Sequence, residues 1–248
     1  MKIAFLTTDD PIYLPLFFER VLSLRSAESA VFVVPPLYRN QTPIGAARRY
    51  LQTFGFRAAV GLTARIVRAK LRRQSIERAC ERYRVPCEAV DDVNAPEFLE
   101  RLRTIGTDLI VSVSCPQIFK QPLIELPSRG CLNIHGAMLP AYRGVMPSFW
   151  MLANGETEAG VSIFFVNDDI DAGELCAQRS FAIDAGETLD QFLRRSKTIA
   201  AELLLELLAQ IETGTVTSTP LDLRKGSYYS WPKREDVQRF YAAGRRVW

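Results

Sequence analysis

Asn133 and His135 stand two residues apart at the end of a short apolar run, Cys131–Ile134. Residues i and i+2 of a strand share a face, so both side chains can enter one cleft. One is an amide that donates hydrogen bonds. The other is an imidazole that takes up or releases a proton near neutral pH. Open α/β sheets place ligands at the C-terminal ends of their strands, where this pair would sit. Alone, an Asn-x-His pair is more often a structural histidine beside an unrelated asparagine, so its surroundings carry the weight. Leu139-Pro140 and Arg143-Gly144 follow as a loop. Asp168, Asp169 and Asp171 then lie in a second loop closed by Gly173.

His135 is the only histidine in 248 residues, which excludes a multi-histidine metal site and any two-histidine mechanism. Asp9/Asp10 and Asp168/Asp169/Asp171 suggest a hard-cation site, but adjacent loop acids are more often solvated or capping, and no metal is expected. Five cysteines, Cys80, Cys87, Cys115, Cys131 and Cys176, form no CxxC, so neither a disulfide framework nor a zinc knuckle fits. No Ser or Cys is supported as a nucleophile, and Cys131 reads as strand packing.

The elements that must hold these residues can be read from periodicity. Lys2–Thr7, Ala30–Val34, Asp108–Val113, Cys131–Ile134 and Gly160–Val166 read as strands, and Ile12–Leu24 as a helix. Pro147 suits the first turn of a helix that stops at Asn154-Gly155. Strands alternating with helices favour a parallel α/β sheet. Thr188–Ile211 is the clearest helix, with a capping-box pattern at Thr188 and Gln191 and Gly214 just beyond its end. At about 1.5 Å per residue it spans roughly 36 Å, enough to cross a sheet face. Segment 41–84 holds eleven Arg or Lys and two Glu. It reads either as solvated helices inserted at the sheet edge or as a lobe facing phosphates, RNA or an acidic membrane surface.

Apolar residues are 48% and charged residues 24%, enough to form a core, and the net charge of +3 is too small to imply nucleic-acid binding by itself. No apolar run reaches the roughly 18 residues of a membrane span. The N-terminal MKIAFLTTDDPIYLP reads as a buried strand rather than a signal peptide, so a cytoplasmic location is the default.

The segment 131–173 resembles the core of the 10-formyltetrahydrofolate-dependent formyltransferases. That family carries Asn-x-His, then Leu-Pro, then an Asp in a DxG loop. Here these are Asn133, Ile134, His135, Leu139, Pro140, Asp171 and Gly173, with His135 and Asp171 36 positions apart. Arg143-Gly144 falls in register with them, and weaker resemblance runs from Met1 to about residue 211. Gly136 stands where many members have Pro or another residue.

The resemblance implies a Rossmann-like fold, a mostly parallel twisted sheet flanked by helices, as a catalytic domain over 1–211 with a basic helical insertion at 41–84. Residues 212–248 would form a short C-terminal appendage. It implies 10-formyltetrahydrofolate as cosubstrate, with the pterin against Ser114, Cys115, Gln117, Ile118 and Phe119 and against Val166, Asp168 and Asp169. It further implies Asn133 as donor to a tetrahedral oxyanion, His135 as proton carrier, and Asp171 as the group that orients the imidazole or positions a proton-relaying water.

The amine acceptor is read from several features. Thr7-Thr8-Asp9-Asp10-Pro11 replaces the phosphate loop of the glycinamide ribonucleotide enzyme, and two acids repel a phosphate. Methionyl-tRNA formyltransferases add a C-terminal barrel, for which the 37 residues after Ile211 are too few. Sugar N-formyltransferases often carry RGxxPxFWxxxNGExExGV, present here as Arg143–Val161. The favoured acceptor is an amino sugar on a nucleotide carrier, with methionyl-tRNA or another small amine as alternatives. Acceptor contacts are expected from Tyr142, Arg143, Tyr229 and Trp231, with Arg224, Lys225 and Tyr228 as further tail groups. The tail is otherwise a short amphipathic helix packing on the core or on a second subunit of a homodimer. A formyltetrahydrofolate hydrolase and a catalytically silent folate or nucleotide sensor are the rival classes. The first usually carries an N-terminal regulatory domain, and the second does not need an intact Asn133, His135 and Asp171.

Overall fold

The computed structural model describes residues 1–35 and 42–248; residue 41, the first of the basic segment, lies outside them. In chain order the elements are β1 (Ile3–Thr8), α1 (Leu14–Arg25), β2 (Ser29–Val34), α2 (Pro43–Phe54), α3 (Phe56–Leu71), α4 (Ile76–Tyr83), β3 (Cys87–Ala89), α5 (Pro96–Ile105) and β4 (Leu109–Val113). They continue with α6 (Gln121–Ile124), β5 (Cys131–His135), β6 (Arg143–Gly144), α7 (Pro147–Ala153), β7 (Glu158–Phe165), β8 (Leu175–Ala182), α8 (Leu189–Thr213), β9 (Tyr228–Tyr229) and α9 (Arg234–Ala242).

Seven strands form one sheet in the order β3-β2-β1-β4-β5-β7-β8. The first five pair in parallel, and β7 and β8 pair antiparallel. The winding reverses between β1 and β4, so the crevice at their C-terminal ends is the topological switch point. All five expected strands are present. The short β3 and the edge strand β8 were not expected. Leu175–Ala182 has no buried residue and is interrupted by Gln178, Arg179 and Ser180, so it lacks the continuous apolar run that marks the inner strands.

Two layers of core clamp the sheet. Phe5, Val111, Leu132 and Ile134 meet Phe17 and Phe18 of α1 and Leu204 and Leu208 of α8 on one face. Ala4, Leu6, Ile110 and Cys131 meet Phe98, Leu99 and Leu102 of α5 on the other. The helix α8 begins at Thr188, whose capping box with Gln191 is formed, and ends at Gly214 with φ +70°.

The basic segment divides. Ile76, Ala79 and Cys80 of α4 belong to the main core, as the crossover from β2 to β3. In contrast, Phe54 of α2 and Ala58 of α3 pack in a separate cluster with Phe149 and Leu152 of α7, Val237 and Phe240 of α9, and Val247. Trp231 donates to Thr53 Oγ1 at 3.1 Å, and Trp248 donates to the Ala58 carbonyl at 3.0 Å. The tail therefore covers one face of α2 and α3 at Phe54 and Ala58, while most of their other described residues are exposed, as expected of solvated helices.

Candidate active site

The register of three strands assembles the first part of the site. Asn133 pairs with Ser112 of β4 and with Phe164 of β7, and His135 pairs with Ser162. Buried Ser162 accepts the Leu139 N–H at 3.0 Å and donates to the Ala137 carbonyl at 2.6 Å. Gln178 of β8 donates to the Leu139 carbonyl at 2.7 Å. These bonds fix the loop that follows His135.

Asp171 arrives from the β7–β8 loop in a left-handed conformation, φ +49°. Such a backbone is costly for a non-glycine residue and is held by its surroundings. The DxG spacing has a steric reason. A Cβ on Gly173 would lie 1.7 Å from the Phe165 carbonyl oxygen, so only glycine lets the loop return onto β7. The Asp171 carboxylate then joins the cluster. Oδ1 accepts from Asn133 Nδ2 at 3.4 Å, and Oδ2 accepts the Gly144 N–H at 2.8 Å. Oδ2 also lies 3.6 Å from His135 Nδ1.

His135 is buried, 6% exposed, and its Nε2 is 2.8 Å from the Tyr142 carbonyl oxygen. A carbonyl only accepts, so Nε2 carries the hydrogen. In the neutral ring the free lone pair is then on Nδ1, on the side of Asp171. A proton taken up at Nδ1 gains a carboxylate neighbour. The structure thus brings Asn133, His135 and Asp171 into one cluster at the end of β5.

The other expected site residues divide by location. Ser114, with φ +57°, opens the loop after β4, and its Oγ accepts from Lys197 Nζ at 2.8 Å. Burial lowers the Lys197 pKa, and nearby Asp10, itself raised by burial, partly restores it. Gln117 is engaged structurally, accepting the Val93 N–H at 2.8 Å and donating to the Asp91 carbonyl. Cys115 is half-buried and its thiol is pushed up to about 11 by desolvation. Phe119 and Val166 pack in the α5-side core, while Asp168 and Asp169 are exposed. Ile118 is 70% exposed and Ile170 49% exposed, two apolar side chains left open on the loops that flank β5.

Tyr142 and Tyr229 stack at 5.2 Å with an interplanar angle of 12°, and Tyr229 stacks on Trp150 at 4.7 Å. Asn154 donates to both tyrosine hydroxyls, at 3.2 and 3.1 Å, and Tyr142 donates to Glu156. The NGE turn is therefore a clamp on this aromatic slab. Arg143 lies 6.0 Å over the Tyr228 ring, and its Nε is buried without a hydrogen-bond partner among the described residues. Trp231 instead packs on Phe54 and lies under the Arg49 guanidinium. Arg224 and Lys225 are highly exposed and pair with Asp222.

Sequence reasoning missed the tail's attachment. The strand β9 pairs with β6 in parallel, so Arg143-Gly144 is a short strand rather than free loop. Arg143 N–H donates to the Ser227 carbonyl at 2.9 Å, and Tyr142 N–H to Ser227 Oγ at 2.9 Å. Gly144, with φ +94°, is wedged so that a Cβ would lie 2.2 Å from the Tyr229 carbonyl oxygen. The Arg-Gly pair was the available signal, because a glycine inside a paired segment marks close backbone approach.

A family model described as formyl transferase matches residues 57–208, more than half of the chain. The chain belongs to the formyl transferase family. The methionyl-tRNA formyltransferase of Thermotoga sp. (strain RQ2) is 36% identical over 157 residues, 63% of this chain and 50% of that protein. The corresponding protein of Geobacter metallireducens is 36% identical over 156 residues, again 63% and 50%. The chain spans about half the length of the curated relatives it matches. Among solved structures, glycinamide ribonucleotide transformylase 1 from Symbiobacterium toebii has a TM-score of 0.62 at 18% identity, covering 90% of this chain and 94% of that one. An N-formyltransferase from Helicobacter canadensis, solved with folinic acid and dTDP-3-aminofucose, has a TM-score of 0.60 at 17% identity, covering 95% and 72%. At those identities the two structures share the fold. Among the described residues no helix is long and apolar enough to cross a membrane, and no group of His, Cys, Asp or Glu is arranged to hold a metal ion.

Proposed function

We propose that this formyl transferase moves a formyl group from 10-formyltetrahydrofolate to a primary amine. The observation that carries this reading is the junction of Asn133, His135 and Asp171 at the end of β5. The folate substrate supplies an activated N-formyl carbonyl. Its ring system fits the loops on either side of β5, where Ile118 and Ile170 expose apolar surface that a flat aromatic group would cover. The amine attacks the formyl carbon, the carbonyl oxygen becomes an oxyanion, and the C–N bond to the folate then breaks. Asn133 has a second N–H beyond the one directed at Asp171, and it meets the oxyanion. His135 takes the amine proton at Nδ1, where Asp171 stabilises the imidazolium, and returns a proton to the departing nitrogen. Lys197 and Ser114 border the same edge of the sheet.

For the acceptor, we infer an amino sugar on a nucleotide carrier. The slab of Tyr142, Tyr229 and Trp150 offers an apolar face to a ring, and Arg143 adds a cation with an unsatisfied buried Nε. A methionyl-tRNA acceptor is the second reading, favoured by the 36% identity to methionyl-tRNA formyltransferases. The test is formylation of an amino-sugar nucleotide and of methionyl-tRNA, side by side at two salt concentrations. Turnover of the amino-sugar nucleotide with weak salt dependence supports the first reading. Turnover of the tRNA alone, falling steeply with salt, supports the second. Turnover of neither points to another small amine.

A further inference from the structure

Away from the catalytic cluster, a cavity of about 390 Å³ lies between α3, α8 and the turn after β1. Four arginines line it, Arg65, Arg68 and Arg72 from the α3 side and Arg194 from α8, against one acid, Asp190. Arg65, Arg68 and Arg72 follow i, i+3, i+7 spacing, which puts them on one helix face. The small side chains of Ala64 and Ala69 leave the space between them open.

Asp190 is already committed. Its Oδ1 accepts the Tyr13 hydroxyl at 3.0 Å and faces Arg65 at 3.6 Å, and its Oδ2 accepts from Arg194 at 3.2 Å. Arg68 and Arg72 have no carboxylate partner among the described residues. Segment 43–73 contains eight Arg or Lys and no acid, so no neighbour on α2 or α3 offsets them. Like charges at this spacing repel. Gathering them around a concavity is favourable once an anion fills it, and guanidinium forks match phosphate oxygens in pairs. The excess of three positive charges over Asp190 exceeds what one carboxylate would balance and suits a short phosphate chain.

We propose that this cavity holds the diphosphate group of a small molecule. Resting on the acceptor class proposed above, that diphosphate is the acceptor's own. The helix α8 connects the cavity to the catalytic edge. Asp190 lines the cavity, and Lys197 reaches Ser114 at the end of β4. Those two helix positions are about 10 Å apart along the axis.

The test is titration calorimetry of the whole protein with inorganic pyrophosphate. The wild type is compared with the Arg68→Gln/Arg72→Gln double variant and with an Arg48→Gln/Arg57→Gln control. Saturable one-to-one binding, weakened at least tenfold in the first variant and unchanged in the control, supports the site. No binding by the wild type, or equal loss in both variants, overturns it. Where the double variant lowers Tm, the single Arg72→Gln protein serves in its place. Duplex RNA that binds more tightly than pyrophosphate and is lost in the same variant overturns the small-molecule occupant. Kinetics separate the two claims. A raised acceptor KM in the double variant, with the folate KM unchanged, supports the acceptor's diphosphate. Pyrophosphate binding lost in the double variant with an unchanged acceptor KM overturns that assignment alone. Pyrophosphate binding without formyl transfer to any amine counts against the proposed function and leaves the cavity site standing.

Discussion

The Asp171 carboxylate accepts the Gly144 N–H at 2.8 Å, which ties the β7–β8 loop to the loop carried by the C-terminal tail. One carboxylate therefore has two tasks. It faces the imidazole of His135, and it locks the segment whose Tyr142 carbonyl holds the other ring nitrogen.

Replacing Asp171 by Asn keeps the shape but removes the charge beside Nδ1. The expected result is a fall in kcat of about 10²-fold or more, the size typical of lost acid–base assistance. Steady-state release of tetrahydrofolate measures it. A variant with unchanged kcat would detach Asp171 from the proton transfer.

Gly144→Ala should loosen the tail. The new Cβ meets the Tyr229 carbonyl, and φ +94° is unfavourable for alanine. A loss of about 2 kcal/mol or more is expected, in the range of strained backbone substitutions. Denaturant unfolding gives the stability. Limited proteolysis should show earlier cleavage between residues 215 and 248 than in the parent.

Much of this arrangement was legible in the sequence. Asn133 and His135 share a strand face because strands have a period of two, and that part needs no tertiary information. The helix ends at Thr188 and Gly214 were legible because capping chemistry is local. Asp171 was located through family resemblance, since no periodicity links residues 36 positions apart. The pairing of β6 with β9 was hidden, because two-residue strands carry no pattern. Lys197 was hidden inside the amphipathic pattern of α8, and only the end of β4 shows what it meets. The aromatic tail divides in a way composition does not reveal. Tyr229 joins the slab beside the site, whereas Trp231 anchors α2.

Arg143→Ala should raise the acceptor KM more than the folate KM. The guanidinium sits on the tail side of the loop, over Tyr228, rather than on the loops flanking β5. Initial-rate kinetics with each substrate varied in turn give the comparison. A selective rise in the folate KM would move Arg143 to the other half of the site.

Thiol reactivity should order the cysteines. A hydrogen bond from Cys80 lowers the Cys87 pKa, while burial raises Cys115 and Cys176 to about 11 and Cys131 to about 12. A raised pKa leaves less thiolate at a given pH, so iodoacetamide at pH near 7.5 should modify Cys87 first. Modification of the other three should rise by about tenfold per pH unit while the pH stays below their pKa values. Peptide mapping of the native protein reads this order. Cys131→Ser should retain turnover, because burial raises that thiol's pKa and disfavours a nucleophilic thiolate at neutral pH.

The most direct measurement is single-turnover formyl transfer from 10-formyltetrahydrofolate by the wild type, His135→Ala and Asn133→Ala, with folate binding measured separately by calorimetry. The account predicts that each substitution slows transfer by about 10²-fold or more while folate affinity and Tm stay near those of the parent. Near-wild-type transfer by either variant, with any acceptor the parent uses, would contradict it.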